Sequence, residues 1–166
     1  MDKKRGLKLI AIFSILAILV SIYLAYQHFA PEGSKWCNIG ASFSCDIVNK
    51  SEFSTLDGVF NLFLKILFDR DFYWYFPLPT SIVSILMFLF ILVGSIKLMH
   101  GRNYFSMSEK TVIKVIQYLM LFSIIFASFL VYIEAEVLQS WCIFCLILDV
   151  LILIITYLVF AIEVKE

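Results

Sequence analysis

The chain has 166 residues, of which 62% are hydrophobic and 16% charged, and its formal net charge is zero. Soluble globular domains are roughly 45–50% apolar, so this composition predicts an integral membrane protein. The charge balance argues against a nucleic-acid-binding surface, and the length suits a single membrane domain over residues 1–166.

Four apolar segments are long enough to cross a bilayer, which takes about 20 residues. They run from about 7 to 26, 78 to 98, 112 to 133 and 141 to 162. The first follows a basic stretch that would also suit a cleaved signal peptide. Its apolar run is long for that purpose, and no clear small-residue cleavage motif follows it, which favours a retained helix. We therefore predict an all-α bundle of four transmembrane helices.

Residues 28–77 form a connection that is too long to be a simple turn. Its first part holds glycines and serines together with Cys37 and Cys45, and is expected to be an irregular redox loop. A disulfide between these two cysteines that only braces the loop is the alternative.

An apolar stretch from 56 to 68, too short to span, lies in the second part of this loop. It follows Ser54-x-x-Asp57, which resembles a capping box, so we expect a short helix on the membrane surface. The aromatic run 72–76 then suits the headgroup level of a bilayer.

Basic residues are distributed unequally between the two ends of the predicted bundle. Because they favour the cytoplasmic side, we expect the termini and the 99–111 loop in the cytoplasm. The 28–77 loop and the 134–140 turn, and with them all four cysteines, would lie outside, where disulfides persist. Nine basic residues lie on the cytoplasmic side, namely Lys3, Lys4, Arg5, Lys8, Lys97, Arg102, Lys110, Lys114 and Lys165, against Lys35, Lys50, Lys65 and Arg70 on the other.

Cys142 and Cys145 form a Cys-x-x-Cys at the start of the fourth apolar segment. Residues i and i+3 share a helical face, and a helix N-terminus favours the thiolate that attacks disulfides. We expect Cys142 to be nearer water and Cys145 to lie one turn deeper, toward an acceptor in the lipid. Four cysteines allow three disulfide pairings, which the sequence leaves open. Zinc binding is disfavoured because no histidine cluster accompanies them.

Asp149 is the only acidic residue inside the predicted spans, and it shares a helical face with Cys145. Intramembrane carboxylates are costly and usually functional. We expect Asp149 to bind a quinone oxygen or to relay a proton. A structural hydrogen bond to a neighbouring helix is the alternative.

The stretch Cys45-Asp46-Ile47-Val48-Asn49-Lys50-Ser51, taken together with Cys142-x-x-Cys145, resembles the vitamin K epoxide reductase family and its bacterial and archaeal members. The resemblance covers nearly the whole chain. It implies that Cys37 meets a redox partner, that Cys45 exchanges with Cys142, and that Cys145 reacts with a quinone.

The resemblance also implies a quinone pocket. Ser51 resembles a hydroxyl residue near that pocket, and Thr80 and Ser81 fall where the vertebrate members carry a ligand-binding asparagine. Asp149 falls where those members carry a tyrosine. These departures argue against vitamin K epoxide as the substrate.

The predicted function is that of a membrane thiol:quinone oxidoreductase that drives disulfide formation in the cell membrane. Its acceptor would be menaquinone, ubiquinone or a similar quinone, and its partner a separate thioredoxin-like protein. One alternative is a vitamin K epoxide or quinone reductase of the endoplasmic reticulum, and another is a non-catalytic scaffold braced by disulfides. A DsbB-like enzyme is disfavoured because that family carries its Cys-x-x-Cys in the first outer loop.

Overall fold

The computed structural model describes residues 2–31, 37–39, 43–69, 73–101 and 108–162. Among these, four helices are long and apolar enough to cross a membrane, which confirms the predicted all-α membrane fold. The last of the four begins directly after Cys142. In chain order the helices are α1 (Lys3–Phe29), α2 (Cys45–Asn49), α3 (Leu56–Phe68), α4 (Thr80–Met99), α5 (Glu109–Tyr132) and α6 (Ile143–Ala161).

Two helices extend beyond their predicted spans. The first begins at Lys3 rather than near residue 7, since lysine and arginine are good helix formers and Lys3 forms an ion pair with Glu109 at the start of α5. The third continues past Tyr132 into a π-helical turn, Ile133–Val137. Several residues used in the predictions, namely Lys35, Arg70, Phe72, Arg102 and Lys165, lie outside the described residues.

Helix α1 is central to the bundle and packs against both α4 and α6. Its inward face carries the small residues Ser14, Ala17 and Ser21, which let neighbouring helices approach closely. Helix α5 packs against α6 but makes few contacts with α4. A gap therefore separates α4 from α5 along one side of the bundle, bridged where the Ser123 hydroxyl donates to Met87 Sδ at 3.0 Å.

A small antiparallel hairpin, not predicted from the sequence, joins β1 (Asn38–Ile39) to β2 (Phe43–Ser44). Its second strand also pairs with the chain just before α6, where the Ser44 N–H donates to the Trp141 carbonyl oxygen at 3.1 Å. This contact holds the cysteine-bearing loop and the start of α6 at the same end of the bundle.

The predicted short helix in the long loop is present as α3, but the predicted capping box is wrong. Ser54 belongs to a 3₁₀ turn (Glu52–Ser54), and Thr55 occupies the N-cap position. Because of this turn, the Ser54 hydroxyl donates to the Ser51 carbonyl oxygen at 2.8 Å instead of capping the helix. The exposed face of α3 carries Phe60 and Phe63, as a helix on a membrane surface would.

The aromatic segment after α3 is held to it by a pair of hydrogen bonds. The Asn61 side chain donates to the Trp74 carbonyl oxygen at 3.1 Å and accepts from the Trp74 N–H at 3.0 Å. The aromatic residues at 73–76 are all exposed. Their place at the headgroup level stays a prediction.

Gly58 allows α3 to pack against the preceding 3₁₀ turn. A Cβ atom at this position would lie 1.8 Å from the Glu52 carbonyl oxygen. We expect Gly58→Ala to lower the free energy of unfolding by about 1–3 kcal/mol because the backbone must shift. Thermal unfolding in detergent, followed by circular dichroism, would measure the change.

Leu67→Ala, at an exposed position of the same helix, is the control and should leave the unfolding temperature nearly unchanged. In an unobstructed helix, alanine stabilises by about 1 kcal/mol relative to glycine. If Gly58→Ala has a higher unfolding temperature than the wild type, the close approach of residue 58 to the 3₁₀ turn would therefore be contradicted.

Candidate functional site

Cys37 and Cys45 form a disulfide in the long loop, with their Cα atoms 5.5 Å apart. Cys45 is the first residue of α2, and Ser44 caps this helix by accepting a hydrogen bond from the Ile47 N–H at 3.3 Å. The hairpin and the short helix thus present the two cysteines to each other.

A polar network beside this disulfide gives a structural role to Asp46, the acidic residue that follows Cys45. The Asn38 amide donates to the Asp46 carboxylate, and the Ser44 hydroxyl donates to Asn38 Oδ1 at 3.1 Å. Lys50 Nζ lies 3.6 Å from Asp46 Oδ1. The network joins β1 to α2 and so stabilises the position of Cys37 next to Cys45.

Cys142 and Cys145 form the second disulfide at the start of α6, with their Cα atoms 5.2 Å apart. Cys142 occupies the N-cap position, and its Sγ accepts a hydrogen bond from the Cys145 N–H at 3.2 Å. When the bond is reduced, a backbone N–H donated to this sulfur at a helix N-terminus favours the loss of its proton.

The two disulfides are in direct proximity. The Sγ atoms of Cys37, Cys45 and Cys142 all lie within 4.8 Å of one another. Thiol–disulfide exchange requires one sulfur to reach another in this way. The geometry therefore suits transfer of electrons between the loop pair and the Cys-x-x-Cys.

The expectation that Cys142 is the water-facing member of its pair is wrong. Cys142 is 0% exposed, as are Cys37 and Cys45, whereas Cys145 is partly exposed to a cavity. The reason is tertiary: the bond between Ser44 and Trp141 lays the loop over the start of α6.

A cavity of about 170 Å³ lies in the gap between α4 and α5, with α6 at its back. Its lining is mainly apolar and includes Cys145. One border is formed by Phe122, an exposed side chain of α5, so the cavity lies toward the lipid-facing side of the bundle. Three residues predicted from the sequence to bind a quinone line it, namely Thr80, Ser81 and Asp149.

Ser51, the fourth such residue, lies elsewhere. Its hydroxyl donates to the Val48 carbonyl oxygen at 2.8 Å, and it lines a smaller cavity of about 40 Å³. The two cavities share Thr80 and Cys145 in their linings, so they are adjacent.

Glu134 is a residue of the site that the sequence predictions missed, because they placed it in an outer turn. Its side chain is buried, and its Oε2 accepts a hydrogen bond from the Cys142 N–H at 3.0 Å. The π-helical turn at Ile133–Val137 inserts an extra residue per turn and directs this side chain inward. An acidic residue at the end of an apolar span, shortly before the Cys-x-x-Cys, was the available signal.

His28 is a second missed residue. Its Nδ1 lies 2.7 Å from the Asn49 carbonyl oxygen, to which it donates, and 3.1 Å from the Ser54 hydroxyl. The Thr80 hydroxyl in turn donates to the Ser54 carbonyl oxygen at 3.1 Å. These bonds connect the end of α1, the end of α2 and the start of α4.

Two sets of three side chains have the spacing of metal ligands among the described residues. They are Cys37, Cys45 and Cys142, and Glu134, Cys142 and Cys145. Metals bind the thiolate form of cysteine. In this structure the cysteines of both sets are in disulfides, so neither set offers free thiolates.

The sequence from residue 8 to residue 160 matches the sequence model of the Vitamin K epoxide reductase family. The matched range includes the four cysteines and Glu134. A search of curated proteins found no significant match.

Removing the His28 donor should loosen the contact between α2 and α1. In His28→Leu the Asn49 carbonyl oxygen loses its partner, which costs about 1–3 kcal/mol. Because α2 begins with Cys45, we expect dithiothreitol to reduce the Cys37–Cys45 bond about tenfold faster, through local opening. Alkylation at timed intervals followed by peptide mapping would give the rate.

The control is Tyr26→Leu, a change of an exposed side chain two residues earlier in α1 that should leave this rate unchanged. Equal rates in the two variants would show that the His28 contact does not hold the loop.

Proposed function

Because the chain belongs to the vitamin K epoxide reductase family, we propose that it is a membrane thiol:quinone oxidoreductase. It takes electrons from a thioredoxin-like protein and passes them to a quinone, so that disulfides form in client proteins. The observation that carries this proposal is the continuity of the site. The loop pair meets Cys142, and Cys145, which pairs with Cys142, lines the cavity between α4 and α5.

The first stage is exchange with the partner. A thiolate of the reduced partner attacks Cys37, breaking the Cys37–Cys45 bond, and the partner's second thiol then releases the partner as a disulfide. The loop pair is left reduced by two electrons. Since Cys37 is fully buried, this stage requires the loop to move away from the start of α6.

The second stage passes the same two electrons inward. The Cys45 thiolate attacks Cys142, and the Cys142–Cys145 bond breaks; Cys145 leaves as a thiolate and takes up the proton that Cys45 gave up. Cys37 then loses its proton and attacks Cys45, which restores the loop disulfide and releases Cys142, and Cys142 takes up that proton. The sulfur separations of at most 4.8 Å support this order of exchange.

The third stage delivers two electrons and two protons to a quinone, giving a quinol and the Cys142–Cys145 disulfide. Several hydroxyls of the cavity wall are already engaged, since Thr80, Ser84 and Ser123 each donate to a backbone carbonyl oxygen. Ser81 and Asp149, together with the buried Asn49 amide nitrogen, are therefore the polar groups best placed to bind the quinone oxygen. The gap between α4 and α5 gives a quinone access from the bilayer.

We place the protein in a cell membrane with its termini in the cytoplasm and the four cysteines at the outer face. The distribution of basic residues supports this orientation. An ion pair joins Lys3 at the start of α1 to Glu109 at the start of α5, so these two ends lie at the same end of the bundle, as this orientation requires.

Cys145→Ala should abolish quinone reduction, because no thiol then faces the cavity. Purified protein would be supplied with reduced thioredoxin and a soluble naphthoquinone, and quinol formation followed by absorbance. Unimpaired quinone reduction would exclude the mechanism.

Ile143→Ala, two residues away on the same turn of α6, serves as the control and should keep most of the activity. A wild type that reduces no quinone, with disulfides that resist mild reductants, would favour the scaffold alternative. Turnover of vitamin K epoxide in the same assay would favour the epoxide reductase alternative.

Filling the cavity should weaken quinone binding without affecting the thiol relay. Ala127 lines the cavity on α5, whereas the next residue, Ser128, is exposed on the outer face of the bundle. We expect Ala127→Phe to raise the KM for quinone about tenfold or more, which corresponds to about 1.4 kcal/mol of binding free energy. Ser128→Phe should leave the KM unchanged.

Reduction of the four cysteines by thioredoxin, measured without quinone, should proceed at the wild-type rate in both variants. If Ala127→Phe and Ser128→Phe have the same KM, the quinone binds outside this cavity.

A further inference from the structure

We propose that Glu134 accepts the proton of the Cys142 thiol and carries it to the cavity where the quinone is reduced. The inference deepens the proposed function and rests on it. It assigns to one buried carboxylate the proton transfer that must accompany the closing of the Cys142–Cys145 disulfide.

The position of the carboxylate is the first argument. One oxygen accepts the Cys142 N–H at 3.0 Å, and a carboxylate oxygen lies within 4.8 Å of both Cys142 Sγ and Cys145 Sγ. Glu134 also lines both the large and the small cavity. A single side chain therefore contacts the segment that carries the sulfur and the space next to Cys145.

The need for a proton acceptor is the second argument. Thiols attack as thiolates, so Cys142 must lose a proton before it can close the disulfide. Cys142 is 0% exposed, and the loop that covers it separates it from bulk water. A buried acid transfers its proton most readily to a base within hydrogen-bonding reach, directly or through one water molecule.

The surroundings of Glu134 are the third argument. Its titratable neighbours are Cys142, Cys145 and Asp149, all on or next to α6. Among the described residues that line the two cavities there is no lysine, arginine or histidine. A buried carboxylate without a cation beside it is costly to keep charged, which favours the uptake of a proton from a neighbouring thiol.

The step is balanced as follows. The reduced enzyme holds two thiols, and the quinone accepts two electrons and two protons. Cys145 supplies one proton from the cavity wall. The Cys142 proton moves to Glu134 as the sulfur–sulfur bond forms, and then to the second quinone oxygen. Glu134 returns to its starting state, and a quinol leaves.

Glu134→Gln separates a proton-transfer role from a structural one, because its amide oxygen can still accept the Cys142 N–H. With reduced thioredoxin and a soluble naphthoquinone, we expect kcat to fall about 100-fold at neutral pH with little change in KM, as for the loss of a general base. The rate of the variant should rise with pH up to the ordinary range of a cysteine thiol, near 8.5. Glu134→Asp should restore part of the activity.

Glu136→Gln is the matched control, since Glu136 is an exposed carboxylate in the same π-helical turn. It should keep the wild-type rate and pH profile. Reduction of Cys142–Cys145 by thioredoxin without quinone should be unchanged in Glu134→Gln, which also shows that the variant is folded.

Two results would overturn the inference. If Glu134→Gln keeps its kcat within about twofold and its pH profile unchanged, Glu134 only accepts a backbone hydrogen bond. If it slows thioredoxin exchange and quinone reduction equally, its role is structural. In both cases the wild type still reduces quinone and the proposed function stands, whereas a wild type without quinone reduction would remove both.

Discussion

The contact on which the rest of the site depends is the backbone hydrogen bond from Ser44 to Trp141. It joins the strand before Cys45 to the residue before Cys142, so each cysteine is next to one end of the bond. Because the bond involves backbone atoms only, it does not depend directly on the identity of either side chain. The approach of the three sulfurs, and the burial of Cys142, follow from it.

The uneven packing of the bundle has an equally direct consequence. Small residues on α1 bring α4 close to it, and α5 is held mainly by α6, which leaves α4 and α5 apart. In a lipid bilayer such a gap carries little hydrophobic penalty, since lipid tails are as apolar as the side chains they replace. The fold can therefore keep a cavity open to the bilayer beside Cys145 at small cost to stability.

The sequence predicted what depends on local pattern and missed what depends on tertiary contacts. Span length and hydropathy gave the four helices, and spacing placed Cys142 and Cys145 on one turn of α6. The inward direction of Glu134 depends on a π-helical turn, for which the sequence has no simple period. His28 contacts Asn49, 21 residues away, and the burial of Cys142 arises from a loop nearly 100 residues distant. The 3₁₀ turn before α3 likewise overrode the capping pattern at Ser54.

Burial also bears on the direction of electron flow. With Cys37, Cys45 and Cys142 all covered, a thiol dissolved in water cannot reach the Cys-x-x-Cys directly. In the proposed relay, electrons enter through the loop pair while the loop is displaced, and they leave through Cys145 while it is seated. Electrons would then enter on the aqueous side of Cys142 and leave on its lipid side, each with the loop in a different position. Since displacing the loop also uncovers Cys142, the order of the proposed relay would depend on the reactivity of each sulfur as well as on access.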